Sequence, residues 1–123
     1  MALKHKVMIV DDVEINRDLL EAILADMFDI VSVASGEEAI ETMKEFVPDI
    51  ILLDVMLPGI DGCEVCYHIR TNNHLKEMKV LMLSGNSAAQ DEKRCMSFGA
   101  DQYVCKPFEA VGLRNKITKL LEM

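Results

Sequence analysis

The chain has 123 residues, half of them hydrophobic, and its 21 acidic against 13 Lys and Arg residues give a formal net charge of −8. This length suits one domain, 1–123. The acidic balance argues against direct binding to nucleic acid or to an anionic membrane, because both are polyanions; it favours protein partners or bound cations. Charges interrupt every apolar run before the ~18 residues that a membrane span requires, and no signal-peptide pattern is present, so we expect a cytoplasmic protein.

Five apolar runs have the length of β-strands, and segments of helical periodicity lie between them. The predicted strands are 6–10, 29–33, 49–53, 79–83 and 102–105. The predicted helices are 14–27, a segment from 35 that ends before 48, a segment that follows 62, 90–98 and 109–121. Strict alternation predicts an α/β fold with a single doubly wound five-stranded parallel sheet and helices on both faces.

Two helices carry more detailed predictions. In the first, the apolar face is expected to be made of Ile15, Leu19, Ala22, Ile23 and Met27. The second opens with a capping-box pattern, in which the Ser35 hydroxyl accepts from the Glu38 amide while Glu38 reaches back.

Polar side chains end four of the predicted strands. Asp11 and Asp12 follow the first strand, and Asp54, Ser84 and Lys106 close the third, fourth and fifth. Ligands of such sheets bind outside the carboxyl ends of the strands, where the strand order reverses. In the strand order 2-1-3-4-5, which we expect here, the first and third strands are neighbours and the three carboxylates converge.

Three carboxylates within a few ångströms repel one another, so all of them can be ionised only if a cation neutralises them. An all-oxygen cluster with room for water suits Mg²⁺. Lys106 adds a positive charge and Ser84 a hydroxyl donor. This set is suited to binding a transferring phosphoryl group, with Asp54 as the possible nucleophile.

Each residue also has an ordinary structural interpretation. Asp11 or Asp12 alone could be a helix N-cap. The segment 84–86 could be a simple turn, Pro58-Gly59 fits a type II turn, and Lys106-Pro107 could end a strand. What indicates a functional site is that all these residues are predicted to lie at one edge of the sheet.

Five stretches resemble, in order along nearly the whole chain, the receiver domain of two-component response regulators. They are Val10-Asp11-Asp12, the run from Leu52 to Gly62, Leu83-Ser84-Gly85, the run from Gly99 to Tyr103, and Lys106-Pro107-Phe108. The resemblance implies a flavodoxin-like domain that takes a phosphoryl group from a histidine kinase or a histidine phosphotransfer protein. It implies a self-phosphorylating acceptor with autophosphatase activity, not a turnover enzyme on external substrates.

The resemblance also assigns the site residues. Asp54 is the implied phosphoacceptor, and Asp12, Asp54 and the Met56 backbone carbonyl are implied Mg²⁺ ligands, with Asp11 acting through water. Lys106 is expected to contact phosphoryl oxygens, and the Lys106-Pro107 peptide bond is expected to be cis.

A switch is implied as well. Ser84 would move toward the new phosphoryl group and Tyr103 would rotate inward, which changes the face made by the fourth helix, fifth strand and fifth helix. That face would serve a downstream protein target or a covalently linked output domain. Met56 and Asn86 occupy two positions that tune phosphoryl lifetime in the family.

Other departures from the family pattern concern packing and assembly. Ser84 stands where Thr is usual and Gly85 where Ala is typical. Gln102 and Gly112 stand where the dimerising, DNA-binding branch has acids. We therefore expect a monomer or a weak phosphorylation-dependent dimer.

Other classes of protein share parts of this pattern. A haloacid dehalogenase-type enzyme needs a second Asp two positions after the first, where this chain has Met56. A flavodoxin-like cofactor binder needs a phosphate-binding loop after the first strand, where Asp11-Asp12 would repel phosphate. A phosphorylation-independent interaction module remains the alternative, although the joint presence of all the site residues argues against it.

The four cysteines include the C-x-x-C stretch Cys63 to Cys66. No second C-x-x-C and no His at zinc-site spacing accompany it, so we expect reduced, buried thiols without metal or redox chemistry.

Overall fold

This computed structural model describes residues 4–85 and 89–123, and for residues 89 and 90 it describes the backbone alone. The strands are β1 (Lys6–Val10), β2 (Asp29–Val33), β3 (Ile50–Asp54), β4 (Lys79–Ser84) and β5 (Gln102–Cys105). All pair in parallel in the order β2-β1-β3-β4-β5. The predicted topology is confirmed.

The helices are α1 (Glu14–Leu24), α2 (Gly36–Thr42), α3 (Gly62–Thr71), α4 (Ala89–Ser97) and α5 (Ala110–Leu121). The prediction placed the end of α1 too late, at 27. After Leu24 the helix gives way to a turn, in which the Leu24 carbonyl accepts from the amides of both Met27 and Phe28. None of the described helices is long and apolar enough to cross a membrane.

The sheet separates two apolar cores, because successive residues of each strand point to opposite faces. Met8 and Val10 of β1 pack with α2, α3 and α4, whereas Val7 and Ile9 pack with α1 and α5. Strands buried on both faces are expected to read as continuous apolar runs, as these do. Burying each such side chain contributes ~1.5–3 kcal/mol.

The predicted apolar face of α1 is wrong at three positions. Ile15 is 73% exposed, Leu19 is 53% exposed and Ala22 is also exposed, whereas Leu20 and Leu24 are buried against the sheet. Apolar residues extend around so much of this helix that periodicity alone does not select the arc that packs inward. Two large apolar side chains of α1, Ile15 and Leu19, therefore remain at the surface.

Side-chain caps hold the starts of α2 and α3. Ser35 Oγ accepts from the Glu38 amide at 3.0 Å, as predicted, but the Glu38 carboxylate accepts from the Ala34 amide and not from that of Ser35. A complete capping box instead begins α3, between Asp61 and Glu64. The start of α3 is thereby fixed next to the carboxyl end of β3.

Candidate functional site

Three carboxylates meet at the carboxyl edge of the sheet. Val10 and Leu53 pair across β1 and β3, so Asp11 and Asp54, the next residues along each chain segment, lie side by side. One oxygen of each of Asp11, Asp12 and Asp54 lies within 4.8 Å of the others. Asp11 and Asp54 are buried, whereas Asp12 is exposed. The predicted convergence of these residues is present.

Asp11 is held by the loop that follows β1. Its Oδ1 accepts from the Val13 amide at 2.9 Å, and the guanidinium of Arg17 donates to its backbone carbonyl at 2.7 Å. The N-cap of α1 is Val13, with no side-chain cap. The N-cap interpretation of Asp11 and Asp12 is therefore wrong, and Oδ2 of Asp11 points to a different partner.

That partner is Lys106, whose Nζ lies 3.2 Å from Asp11 Oδ2 and 3.2 Å from Asp54 Oδ2. The Lys106 amide donates to the Ser84 carbonyl at 2.7 Å, which extends the ladder between β4 and β5 by one residue. Burial lowers the pKa of Lys106, but the Asp54 and Asp11 carboxylates outweigh burial and raise the pKa above its ordinary value. The Lys106–Pro107 peptide bond is cis, the isomer that the resemblance implies.

Asp54 is the last residue of β3 and lies at the centre of the cluster. Its Oδ1 accepts from the Met56 amide at 3.1 Å. Burial raises its pKa and nearby Asp11 adds to the rise, whereas Lys106 and the Met56 amide oppose it; the net direction is upward. A carboxylate that is kept from water in this way is stabilised by any further cation that reaches it.

Ser84 and Tyr103 form a second part of the site. Ser84 ends β4 and is buried, and Tyr103 lies on β5 with an 8% exposed side chain that packs in the core beneath α2, α3 and α4. Burial raises the pKa of the Tyr103 phenol, while its hydrogen bond with Ser84 acts in the opposite direction. Tyr103 thus occupies an inward position in contact with Ser84. Asn86, the remaining predicted residue after β4, lies outside the described residues.

The loop between β3 and α3 is shaped by glycine. Gly59 has a φ of 74°, as the type II turn of Pro58-Gly59 requires. Gly62 begins α3 and donates to the Val55 carbonyl at 3.0 Å. A Cβ on Gly62 would collide with the Asp54 carbonyl oxygen and lie 2.9 Å from Val55 Cα. The Met56 side chain is 72% exposed in this loop.

Two supporting residues escaped the sequence prediction. Neither Arg17 nor Gly62 is among the site residues that the sequence predicts. A capping-box pattern at Asp61 to Glu64 was the available signal for the position of Gly62. The contact between Arg17 and the Asp11 carbonyl has no sequence signal, because any long donor on α1 could make it or point to solvent.

The cluster fits a divalent cation. Oxygen donors at this spacing, with one exposed member that leaves room for water, suit Mg²⁺, which retains several waters and binds one or two carboxylates. Lys106 carries a single positive charge against three carboxylates, so the cluster keeps a net negative charge when all three are ionised.

The cysteines form no comparable site. Cys63 Sγ and Cys95 Sγ lie 3.9 Å apart, Cys66 Sγ donates to the Phe98 carbonyl, and all are unoxidised. Burial raises the pKa of Cys66 to about 11 and that of Cys95 to about 12. Within the described ranges, no cysteine belongs to a group that could hold a metal ion.

Comparison with known proteins places this geometry in context. A family model described as the response regulator receiver domain matches residues 7–118. A protein of Porphyridium aerugineum, described as a probable transcriptional regulator (ycf27), is 34% identical over 119 residues, which are 96% of this chain and 48% of the relative. The chain thus spans about half the length of that curated relative.

Solved structures agree with the family match. A response regulator from Chloroflexus aurantiacus J-10-fl superposes with a TM-score of 0.93 at 32% identity, over 98% of this chain and 99% of the other. The receiver domain of the sensor histidine kinase PA1611 from Pseudomonas aeruginosa PAO1 gives a TM-score of 0.90 at 25% identity, over 98% and 99%. In that structure a magnesium ion is coordinated in the active-site cleft.

Proposed function

Because this chain belongs to the response regulator receiver domain family of two-component systems, we propose that Asp54 is its phosphoacceptor. The reaction would be a Mg²⁺-dependent transfer from a phosphohistidine of a histidine kinase or a histidine phosphotransfer protein. The observation that carries this proposal is the convergence of Asp11, Asp12 and Asp54 within 4.8 Å, with Lys106 3.2 Å from two of them.

The surroundings of Asp54 suit a nucleophile. Its Oδ1 is oriented by the Met56 amide, and its Oδ2 lies beside the Lys106 ammonium. An incoming phosphoryl group adds charge on its equatorial oxygens, and a preorganised cation next to the nucleophile stabilises that charge. Lys106 is therefore the group that we expect to follow the phosphoryl oxygens during transfer.

Asp12, Asp54 and the Met56 carbonyl would hold Mg²⁺, and Asp11 would act through water. When bound, the ion would neutralise negative charge on the carboxylates and on the phosphoryl oxygens. Exposed Asp12 keeps the cluster open to solvent, whereas buried Asp11 is already occupied by the Val13 amide and Lys106. This difference supports a direct role for Asp12 and an indirect one for Asp11.

Ser84 and Tyr103 would transmit the phosphorylation of Asp54 to the surface of the domain. The Ser84 hydroxyl, at the end of β4, would turn toward the phosphoryl group and leave its contact with Tyr103. Tyr103 lies on β5, which follows α4 and precedes α5 in the chain. A change in the position of its side chain would therefore alter the face formed by α4, β5 and α5. Met56 and Asn86 would tune the lifetime of the phosphoryl group.

The remaining properties follow from the family and the charge. The chain, a single receiver domain over 1–123, would act in the cytoplasm as a switch with autophosphatase activity, not as a turnover enzyme. It would work as a monomer or weak phosphorylation-dependent dimer on a downstream protein or a covalently linked output domain. The net charge of −8 disfavours direct contact with nucleic acid or membrane. The phosphorylation-independent alternative is not favoured, because the carboxylates Asp11, Asp12 and Asp54 and the ammonium of Lys106 lie together, which supports phosphoryl transfer.

The test is intact mass after incubation with Mg²⁺ and phosphoramidate. We expect the protein to gain one phosphoryl group, and we expect EDTA or the variant Asp54→Asn to abolish the gain. A protein that gains no mass under conditions that phosphorylate a control receiver domain would refute the proposal.

A further inference from the structure

A cavity of about 350 Å³ opens beside the carboxylate cluster. Residues of α1 form one wall and the segment that links β5 to α5 forms the other. The lining residues are Asp11, Asn16, Leu19, Leu20, Lys106, Pro107 and Phe108. The cavity is therefore continuous with the site of Asp54, because Asp11 and Lys106 belong to both.

Two parts of the cavity lining differ in chemistry. One part is the ion pair of Lys106 and Asp11, whose Nζ and Oδ2 lie 3.2 Å apart. Elsewhere the lining is mostly apolar, and it includes the 53% exposed side chain of Leu19, which the packing of α1 does not need. A ligand that fits both parts has an anionic head, which Lys106 together with the proposed Mg²⁺ would neutralise, and a short apolar tail.

We infer that this cavity binds the acyl chain of small acyl phosphate donors, so that the receiver prefers donors with a short hydrocarbon chain over acetyl phosphate. The inference rests on the proposed function, since it assigns the substrate class of the same site. An acyl phosphate has the required form: its phosphoryl group is anionic and belongs beside Lys106 and Asp54, and its hydrocarbon chain is apolar.

The transfer step is balanced without a further reactant. An Asp54 carboxylate oxygen forms a bond to phosphorus, and the bond between phosphorus and the acyl oxygen breaks. The electron pair of that bond leaves with the carboxylic acid anion, so no proton, oxidant or reductant is required. The leaving carboxylate departs from the cavity with its chain.

Donors of increasing chain length test the inference. Acetyl and butyryl phosphate have leaving groups of nearly equal acidity and differ by two methylenes. Each methylene that leaves water favours binding by about fourfold, so we expect butyryl phosphate to phosphorylate the protein about 15-fold faster at equal subsaturating concentration. The measurement is the initial rate by intact mass, normalised to the spontaneous hydrolysis of each donor.

Three variants test whether the preference for butyryl phosphate arises in this cavity. Leu19→Asn removes an apolar wall and Leu19→Trp fills the space, and both should bring the butyryl-to-acetyl ratio close to one. Val47→Asn changes an exposed apolar residue that does not line this cavity, and it should keep the wild-type ratio. Phosphoramidate, which has no acyl chain, reports whether each variant still transfers phosphoryl groups.

The outcomes separate this inference from the proposed function. Failure of every donor, phosphoramidate included, refutes the proposed function and the inference with it. Transfer from phosphoramidate with a butyryl-to-acetyl ratio below two in the wild type refutes the inference alone. A high ratio that both Leu19 variants retain also refutes it, because the chain would then bind elsewhere.

Discussion

The ammonium of Lys106 lies 3.2 Å from Oδ2 of Asp54, so a strand-end carboxylate on β3 and a cation after β5 meet across the intervening strand β4. The same ammonium contacts Asp11 at 3.2 Å. These three charged groups are the proposed nucleophile, a carboxylate proposed to act on Mg²⁺ through water, and the group that would contact the phosphoryl oxygens.

Replacing Lys106 should have opposite effects on metal binding and on transfer. Lys106→Ala removes a positive charge that repels a divalent cation, so the affinity for Mg²⁺ should rise about fivefold. The same change removes a cation from the transferring group, so phosphorylation should slow about 100-fold. Calorimetric Mg²⁺ titration and intact mass measure the two effects. A variant with weaker Mg²⁺ binding or near-normal transfer would contradict this role.

Mg²⁺ should stabilise the fold through the carboxylate cluster. A ligand present at about ten times its Kd adds ~1.4 kcal/mol to the free energy of unfolding, which corresponds to a rise in Tm of ~3–6 °C for a domain of this size. Asp12→Asn changes an exposed side chain and should abolish the rise without lowering the Tm in EDTA. Equal stabilisation of both proteins, measured against NaCl at matched ionic strength, would place the metal elsewhere.

Two glycines at helical positions should respond oppositely to alanine. Gly62→Ala places a Cβ against the Asp54 carbonyl and Val55 backbone, and should destabilise the fold by at least ~2 kcal/mol. Gly112→Ala, within α5, meets no atom closer than 4.0 Å and should stabilise the fold by ~0.5–1 kcal/mol. Urea unfolding compares both variants with the wild type. Tolerance of Ala at 62 would mean that the loop after β3 is not fixed by this contact.

Among the charged side chains at the edge of the sheet opposite the site, Arg70 should contribute most to the stability of the fold. It donates to the carbonyls of Gly99 and Met78 and pairs with Asp101 Oδ2 at 2.7 Å, and Asp101 also accepts from the Val80 amide. Both partners of the pair are partly buried, with side chains 22% and 28% exposed, and Arg70 also binds main-chain carbonyls, so Arg70→Ala should lower the free energy of unfolding by ~2 kcal/mol.

Lys44→Ala is the matched control for Arg70. The pair of Lys44 with Glu41 has side chains that are 67% and 74% exposed, and its loss should change stability by less than ~0.5 kcal/mol. Equal effects of the two variants in urea unfolding would show that burial does not determine the contribution of these ion pairs.

The thiols should be unreactive in the folded protein at pH 8. Burial holds the pKa of Cys66 at about 11 and that of Cys95 at about 12, so both are protonated, and only a thiolate attacks a disulfide reagent. Cys63 is also buried, whereas Cys105 is partly exposed. An aromatic disulfide reagent should therefore titrate at most one thiol rapidly, and all four after unfolding. Rapid reaction of two or more thiols would contradict the packing of α3 against α4.

Much of the fold could be predicted because parallel strands buried on both faces are uninterrupted apolar runs. The strand order and the meeting of Asp11 with Asp54 then follow from the alternation and from the resemblance. The face of α1 could not be predicted, because Leu19 and Leu20 are equally apolar and only packing distinguishes them. The inward position of Tyr103 likewise depends on space left by neighbouring side chains.

The sequence also does not predict which backbone carbonyls the long arginine side chains bind. Arg17 and Arg70 each donate to main-chain oxygens of a different segment. A sequence records the donor but not the carbonyl that it will reach, since every residue offers one. The residues that fix the loops around the site therefore emerged only from the three-dimensional arrangement.

The most direct test of the central claim is the chemical identity of the phosphorylated residue. Borohydride reduces an acyl phosphate to an alcohol and so converts a phosphorylated Asp to homoserine. After phosphorylation with Mg²⁺ and phosphoramidate, reduction and trypsin digestion, Asp54 lies in peptide 45–70 and Asp11 and Asp12 lie in peptide 7–17. We predict homoserine at position 54 and an unchanged peptide 7–17. Homoserine at 11 or 12, or at no position in a protein that gained a phosphoryl group, would contradict the account.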